Sequence, residues 1–365
     1  MAFVNQISIY AFRGIRNLNV RELRQVNLIV GDNNCGKTSV LEALQLLRTS
    51  GNLANVYRVA RQRDSLAVAN SNSIFDNFIC MFPKSSDNQM QISVYGMCNG
   101  EDISFLLEGR KDRMLLDSKE LASRKYKSQD APEGEAEAEV FEGNIRLIFG
   151  KEEREEKISV NQYSSVTGTP ASDKDRFDII YVAPFEHLRG SIINRILRNE
   201  SYKQICIRAL QLFDPDIEDM MIFRSDVGNR PVEYLRHKKL GDMPVSSYGD
   251  GIKKVLALSN AIAMASNGIL LIDEIETAIH KKYYDDIFRF IVKACKAFHV
   301  QVFITTHSIE AIDGLLATQD YDTQQDTDDI CVCTIKRTEE GSFSRVLPGR
   351  EVNENREAFG FEVRL

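Results

Sequence analysis

Apolar and polar positions along the chain fall into two periods that take turns. Near the N-terminus Ile7 and Ile9 alternate with polar neighbours, as do Leu18 and Val20, the two-residue period of a half-buried strand. Residues 26–30, VNLIV, form a short apolar run that stops at Gly31. From 38 to 48 the apolar residues Val40, Leu41, Leu44 and Leu47 sit at helical spacing, so a strand, a glycine-bounded turn and a helix are predicted. Residues 50–175 hold strand-like pieces around 91–95, 103–107, 145–149 and 158–163, separated by turns rich in Gly, Asn and Ser. Within them residues 130–142, DAPEGEAEAEVFE, are strongly acidic and poor in apolar side chains, and are expected to form a solvated loop rather than an acidic docking peptide.

Residues 177–184, FDIIYVAP, read as a buried strand, followed by helical stretches over 186–198 and 202–213 and by a hairpin or edge strands over 217–224 and 231–236. From Ser246 β and α alternate again. A helix over 251–265 carries Ile252, Val255, Leu256 and Ile262 on one face. Residues 268–273, GILLID, are a continuous apolar run of the kind buried on both faces in a parallel sheet. An amphipathic helix over 281–298, a buried strand over 301–308, a helix over 309–316 and a last β pair at 330–337 and 343–346 complete the pattern. Neither a repeat of 20–50 residues nor a long heptad run occurs, which argues against solenoids and coiled-coil arms. The expected class is α/β with a mixed or parallel core sheet, an antiparallel β part at the N-terminus and an inserted α+β region.

A length of 365 residues suits two intimately packed lobes or one large α/β domain. With 43% hydrophobic and 27% charged residues the chain is ordinary for a globular protein, which excludes collagen, mucin, rod and wholesale disorder. A formal charge of −7 argues against a generally cationic nucleic-acid coat, although a local basic groove depends only on the charges at the contact. No run of eighteen apolar residues and no basic-then-apolar leader is present, so a cytoplasmic location without membrane contact is expected. Seven cysteines, an odd number, read as reduced thiols, and Cys331 with Cys333 as packing residues rather than a metal site.

The sharpest local signal is Gly31-Asp32-Asn33-Asn34-Cys35-Gly36-Lys37-Thr38, which fits G-x-x-x-x-G-K-[ST] between the predicted strand and helix. Glycines let such a loop wrap an oxyanion, successive amides point inward, and the following helix presents its positive end to the same phosphates. Lys37 is expected on the β and γ oxygens, the Thr38 hydroxyl on Mg²⁺, and Gly31, Asn33, Asn34, Gly36 and Ser39 in the phosphate cradle. Asp273 and Glu274 end the apolar run 268–273, where a parallel strand delivers carboxylates to the ligand crevice. Asp273 is the expected Mg²⁺ partner and Glu274 the group that polarises an attacking water. Glu276 and His280 follow, as reach toward a second subunit or metal, or as solvated loop residues. His307 closes the buried run QVFITTHS and is placed to donate to a γ-phosphate, whereas His187, His237 and His299 read as structural.

These segments together, ISIYAFRGIRNLNV, NLIVGDNNCGKTSVLEAL, YGDGIKKVLALSNAI, LLIDEIETAIH and VFITTHSIEAI, resemble the ATP-binding-cassette-type ATPases of the RecF, SMC and OLD group. Among these the chain is most similar to the stand-alone AAA ATPases of bacterial abortive-infection and other phage-defence operons. The motifs cover residues 1–50 and 240–316, and the resemblance implies an ATPase core of 1–50 plus 240–365 with an insert over 51–239. It also implies that ATP is sandwiched between two copies, one lending its phosphate loop and the other a signature segment. Here that segment matches at Ser247, Gly249 and Gly251, although Ser-Ser-Tyr-Gly-Asp-Gly departs from the usual LSGGQ. No glutamine is assigned to the Q-loop.

The resemblance implies a dimerising sensor or regulator that controls a separate effector, such as a nuclease or toxin. DNA or RNA contact through the basic stretches 58–63, 189–208 and 236–239 is a further expectation. About fifty residues follow Leu316, with Asp320, Asp322, Asp326, Asp328 and Asp329 in a Gln- and Thr-rich stretch that reads as a loop; this is too short for the Toprim domain that the resemblance associates with full OLD-type nucleases, so no strand scission by this chain is expected. Two alternatives stand beside this reading: a RecF-like DNA-repair ATPase, and a nucleotide-locked scaffold with little turnover.

Overall fold

The computed structural model describes residues 3–48, 52–63, 73–84, 88–116, 136–163, 177–188, 193–224, 231–321 and 328–364. Its centre is a six-stranded sheet built from β3 (Val26–Val30), β8 (Ile179–Val182), β12 (Ile269–Ile272), β13 (Gln301–Thr305), β14 (Ile330–Arg337) and β15 (Ser342–Pro348), in the order β15-β14-β3-β13-β12-β8. All pairings are parallel except the β14–β15 edge. The apolar runs VNLIV, ILLI and QVFIT are buried at every position because both faces are covered.

Alternation along each strand assigns its side chains to two cores. Leu28, Leu270, Ile272, Val302, Ile304 and Val332 face one core. It is closed by α4 (Glu200–Leu210), α5 (Asp250–Met264), α6 (Tyr284–Ala297) and α7 (Ile309–Leu316). Ile29, Leu271, Phe303, Cys331 and Cys333 face the other. That side is covered by α1 (Lys37–Leu46), α2 (Leu53–Ala60), α3 (Ile74–Ile79) and a second sheet. Cys331 and Cys333 are therefore packing residues, and both are buried free thiols.

The second sheet is antiparallel, in the order β2 (Ile15–Val20), β1 (Val4–Phe12), β4 (Gln89–Cys98), β5 (Glu101–Leu116), β6 (Ala136–Phe149), β7 (Glu152–Asn161). Gln301 stitches it to the central sheet: its buried side chain accepts from Val4 N at 2.8 Å and donates to Val4 O at 2.7 Å. A small sheet of β9 (Ile217–Arg224), β10 (Pro231–His237) and β11 (Gly241–Pro244) lies apart in sequence between the two halves of the central one. The strands thus regroup across the expected boundaries. β1 and β2 of the expected core segment share a sheet with β4–β7 of the expected insert, and β8 of that insert completes the central sheet.

Two expectations are corrected, and one element is unforeseen. Residues 136–142, assigned above to a solvated loop, are the first half of β6, paired throughout with β5 and from Val140 onward also with β7. The alternation Ala138, Val140 against Glu137, Glu139 buries one face, a period-two signal that the acidic composition hid. Residues 130–135 lie outside the described residues. The helix expected over 186–198 is replaced, among the described residues, by short 3₁₀ turns at Glu186–Leu188 and Ile196–Arg198. There the amides of Ile193 and Arg195 bond the side chains of Glu233 and Asn260, both at 2.8 Å, instead of preceding carbonyls. A helix not foreseen, α8 (Gly349–Phe359), docks only Gly349 and Val352 into the core, too narrow a stripe to register as periodic.

Candidate functional site

The phosphate-loop residues sit between β3 and α1, and their backbone explains their identity. Gly31 has φ +141°, and a Cβ there would lie 2.3 Å from the Ile335 carbonyl and 2.9 Å from the Cys35 thiol. Gly36, at φ +108°, occupies the N-cap of α1, and no side chain caps that helix. Its first-turn amides are therefore left to face the loop. Asn34 also takes a left-handed conformation, at φ +62°. The Lys37 ammonium curls back over the loop and donates to the carbonyls of Gly31 and Asp32, both at 2.8 Å.

Parallel register brings the ends of β3, β8, β12 and β13 to one edge. Asp273, 4% exposed, stands there one residue beyond β12. Thr38 Oγ1 lies 3.1 and 3.0 Å from its two carboxylate oxygens, Tyr181 OH donates to Oδ2 at 3.0 Å, and Thr305 Oγ1 donates to Oδ1 at 2.5 Å. Burial and the Asp273 charge push the Tyr181 phenol far above its ordinary range, so it stays a protonated donor. Glu274 follows at φ +48°, its amide held by Thr305 Oγ1 at 2.9 Å. Glu274, whose Oε2 accepts from Thr277 Oγ1 at 3.5 Å, lines a cavity of about 370 Å³ together with Asn33, Lys37, Thr38, Arg63 and Asp273. The loop and both acids of the sequence reading therefore meet in one place.

His307 follows the same edge but its exposed ring turns to Glu276: Nδ1 and the backbone N–H both lie 3.0 Å from Glu276 Oε1. His280 is exposed and caps a 3₁₀ turn, accepting from Lys282 N at 3.3 Å. The signature stretch lies elsewhere. Ser247 ends a 3₁₀ turn, Gly249 caps α5 without a side-chain bond, and Gly251 packs against Phe213 and the Ala278 carbonyl. None of these three lines the 370 Å³ cavity of its own chain.

Sequence reasoning missed several neighbours. Glu42 on α1 is fully buried, and it pairs with Arg13 Nε at 2.8 Å and with Arg63 at 2.6 Å. Arg63 also donates to Ser39 Oγ at 3.0 Å. An acidic residue inside the apolar stripe VLEAL was the available signal. Arg63 belongs to the basic stretch 58–63; half-exposed, it reaches the buried Glu42 at the rim of the cavity. Of the other expected basic groups, Arg236 pairs with Asp242 at 2.8 Å and Lys239 with Asp216 at 2.5 Å. Asp328 and Asp329 pair with Arg24 at 2.8 Å and Lys296 at 2.6 Å, while residues 322–327 lie outside the described residues.

One further grouping among the described residues has metal-ligand chemistry: Asp214, Asp216 and His237. His237 Nδ1 accepts the amides of Lys239 and Leu240, both at 3.1 Å, which leaves the proton on Nε2, 3.3 Å from Asp214. With Lys239 on Asp216 and His237 on Asp214, the trio ties the turn before β9 to the end of β10, and its donors are already engaged.

The chain is similar along most of its length to a Helicobacter pylori protein named ATP/GTP phosphatase, with 24% identity, covering 87% of this chain and 90% of that one. Its fold is similar to that of an SMC head in complex with the C-terminal winged-helix domain of ScpA: TM-score 0.51, 12% identity, coverage of 96% and 99%. An SMC head with an extended coiled coil bound to the C-terminal domain of ScpA, from Pyrococcus furiosus, gives TM-score 0.52, 10% identity and coverage of 99% and 100%. The α/β fold with an antiparallel N-terminal sheet is therefore that of SMC heads. Residues 26–313, from the strand before the phosphate loop to the helix after His307, match the family described as "AAA domain, putative AbiEii toxin, Type IV TA system", and the chain belongs to that family.

Proposed function

We propose that this chain is a Mg²⁺-dependent nucleoside-triphosphatase that acts on ATP. One observation carries the proposal: the Thr38 hydroxyl of the glycine loop and the Asp273 carboxylate at the end of β12 lie within 3.1 Å of each other inside one cavity. A hydroxyl and a carboxylate are hard oxygen donors, which fit Mg²⁺ rather than a softer ion. The positive-φ loop, the uncapped start of α1 and Lys37 fit a polyphosphate. Thr38 and Asp273 would hold Mg²⁺, which when bound would supply positive charge against the negative charge of the phosphates.

In this reading the amides of Gly31 through Ser39, with Asn33 and Asn34, cradle the phosphates. Lys37 leaves its two loop carbonyls for the β and γ oxygens. Glu274, which lines the cavity, accepts a proton from the attacking water. Arg63, fixed by Glu42, adds a second cation beside Ser39. His307, held by Glu276, meets the γ-phosphate, and Ser247, Gly249 and Gly251 serve a second copy of the chain. The name of the Helicobacter pylori relative supports triphosphate hydrolysis and makes GTP a substrate worth assaying beside ATP.

The wider role proposed is that of a regulator in a defence or toxin–antitoxin system that controls a separate effector, for which the family description is the support. Phosphate release with ATP and Mg²⁺ tests the core of the proposal. Lys37→Ala is expected to abolish nucleotide binding, and Glu274→Gln to bind normally but turn over at least about 100-fold more slowly. Unchanged affinity in the first variant sinks the assignment. Strong stimulation by DNA would favour the RecF-like repair role over the regulator.

A further inference from the structure

Both backbone polar groups of His307 are held by side chains from remote parts of the chain. Its N–H donates to Glu276 Oε1, on the turn after β12, at 3.0 Å. Its carbonyl accepts from Arg364 Nη1 at 2.8 Å. His307 lies between β13 and α7 and belongs to neither, so these two bonds supply what a sheet or helix ladder supplies elsewhere. The ring also rests on Glu276 Oε1, yet the side chain is 56% exposed and open to a ligand.

Arg364 is itself fixed. Its Nε and Nη2 both lie 2.7 Å from the carboxylate oxygens of Glu362. That fork holds the Glu362 carboxyl down at about 2, so the pair is ionic at neutral pH. With one edge of the planar guanidinium engaged, Nη1 is aimed in a set direction. Val363, between the two, is fully buried in the core that α7 closes, and its carbonyl accepts from Thr334 Oγ1 at 2.6 Å. Thr334 lies on β14 opposite Val30, the residue before Gly31. Upstream, the Phe361 carbonyl accepts from Arg356 Nη1 at 2.6 Å, and the same guanidinium bonds Asp313 of α7 at 2.8 Å. Residues 361–364 therefore form a strap, tied to α8, α7 and β14, that ends on His307.

We infer that Arg364 is a positioning residue for His307. It fixes the main chain there, so that only the imidazole has to turn from Glu276 to meet an anion. Holding both backbone groups in advance removes most of the ordering that ligand arrival would otherwise require. Because the strap is fastened to β14 opposite Val30, the His307 turn and the glycine loop share one reference strand. The inference rests on the hydrolase reading for its kinetic consequence, but the hold on His307 is measurable without turnover.

The test compares the parent chain with Arg364→Met, which keeps the aliphatic stem and removes the donors. In hydrogen–deuterium exchange without nucleotide, the His307 amide of the variant is expected to exchange at least about fivefold faster, while the amides of β12 keep the parent's rate. With ATP and Mg²⁺ the variant is expected to keep its KM within about threefold and to lose at least about tenfold in kcat. In a His307→Ala background the same substitution should change kcat by less than about twofold, because the ring it positions is gone. Parental exchange at His307 in Arg364→Met, parental kcat, or effects of the two substitutions that multiply overturn the inference. If Arg364→Met does not accumulate as folded protein, Glu362→Gln, which loosens the fork from its other side, should speed the same exchange by at least about twofold, and an unchanged rate overturns the inference. A parent that hydrolyses nothing defeats the proposed function, while exchange at His307 still decides the hold of Arg364.

Discussion

Asp273 receives hydroxyls from Thr38, Thr305 and Tyr181, and each arrives on a different element: α1, β13 and β8. Together they use up the freedom of the carboxylate, so its oxygens face the glycine loop before any ligand is present. Outer partners of this kind tune metal affinity by about 10–100-fold. Tyr181→Phe should therefore raise the Mg²⁺ concentration needed for half-maximal turnover by about tenfold, with loss of about 1 kcal/mol of stability for the missing bond. A Mg²⁺ titration that superimposes on the parent's would show that Tyr181 only fills space. The roles differ in how visible they are along the chain. Lys37 and Thr38 are announced by their local spacing, and Asp273 by the end of an apolar run. Tyr181 and Thr305 are ordinary strand residues until the parallel register sets them beside Asp273.

Among the elements, the turn from β3 into α1 is the most constrained. Gly31 needs both a φ of +141° and the absence of a Cβ, which would sit 2.3 Å from the Ile335 carbonyl. Gly31→Ala is expected to destabilise the chain by about 2 kcal/mol or more, measured by chemical denaturation, because strain and a backbone clash add. A change below about 0.5 kcal/mol would mean that β14 yields and that the loop is softer than its geometry implies. Continuous apolar runs identified β3, β12 and β13 correctly because burial on both faces removes the ambiguity of period. The segment 186–198 failed for the converse reason: it has helical spacing, but Glu233 and Asn260 capture its amides from other elements. In β6 an acidic composition outweighed a period-two pattern that was present in residues 136–142.

For the whole molecule, the central sheet separates two cores, and the 370 Å³ cavity opens at the edge where its parallel strands end. The signature residues Ser247, Gly249 and Gly251 do not line that cavity, which is the geometry a two-copy site would require. Glu274→Gln with ATP and Mg²⁺ should therefore double the mass seen by light scattering, and Ser247→Arg in the same background should prevent it. A monomer that has ATP bound in Glu274→Gln would rule out the sandwich.

What the chain determines by itself is local. The glycine loop, the strand that precedes it and the helix that follows are encoded by neighbours within a dozen residues, so spacing and periodicity expose them. The carboxylate pair is likewise marked by the run it ends. Tertiary structure alone decided which strands share a sheet, that β8 joins the core, that Arg63 pairs with the buried Glu42, and that Lys254 lies buried with its ammonium on the Pro184 carbonyl. Those pairings join residues tens to hundreds of positions apart, and a buried charge finds its partner through packing and desolvation, which leave no period in the sequence.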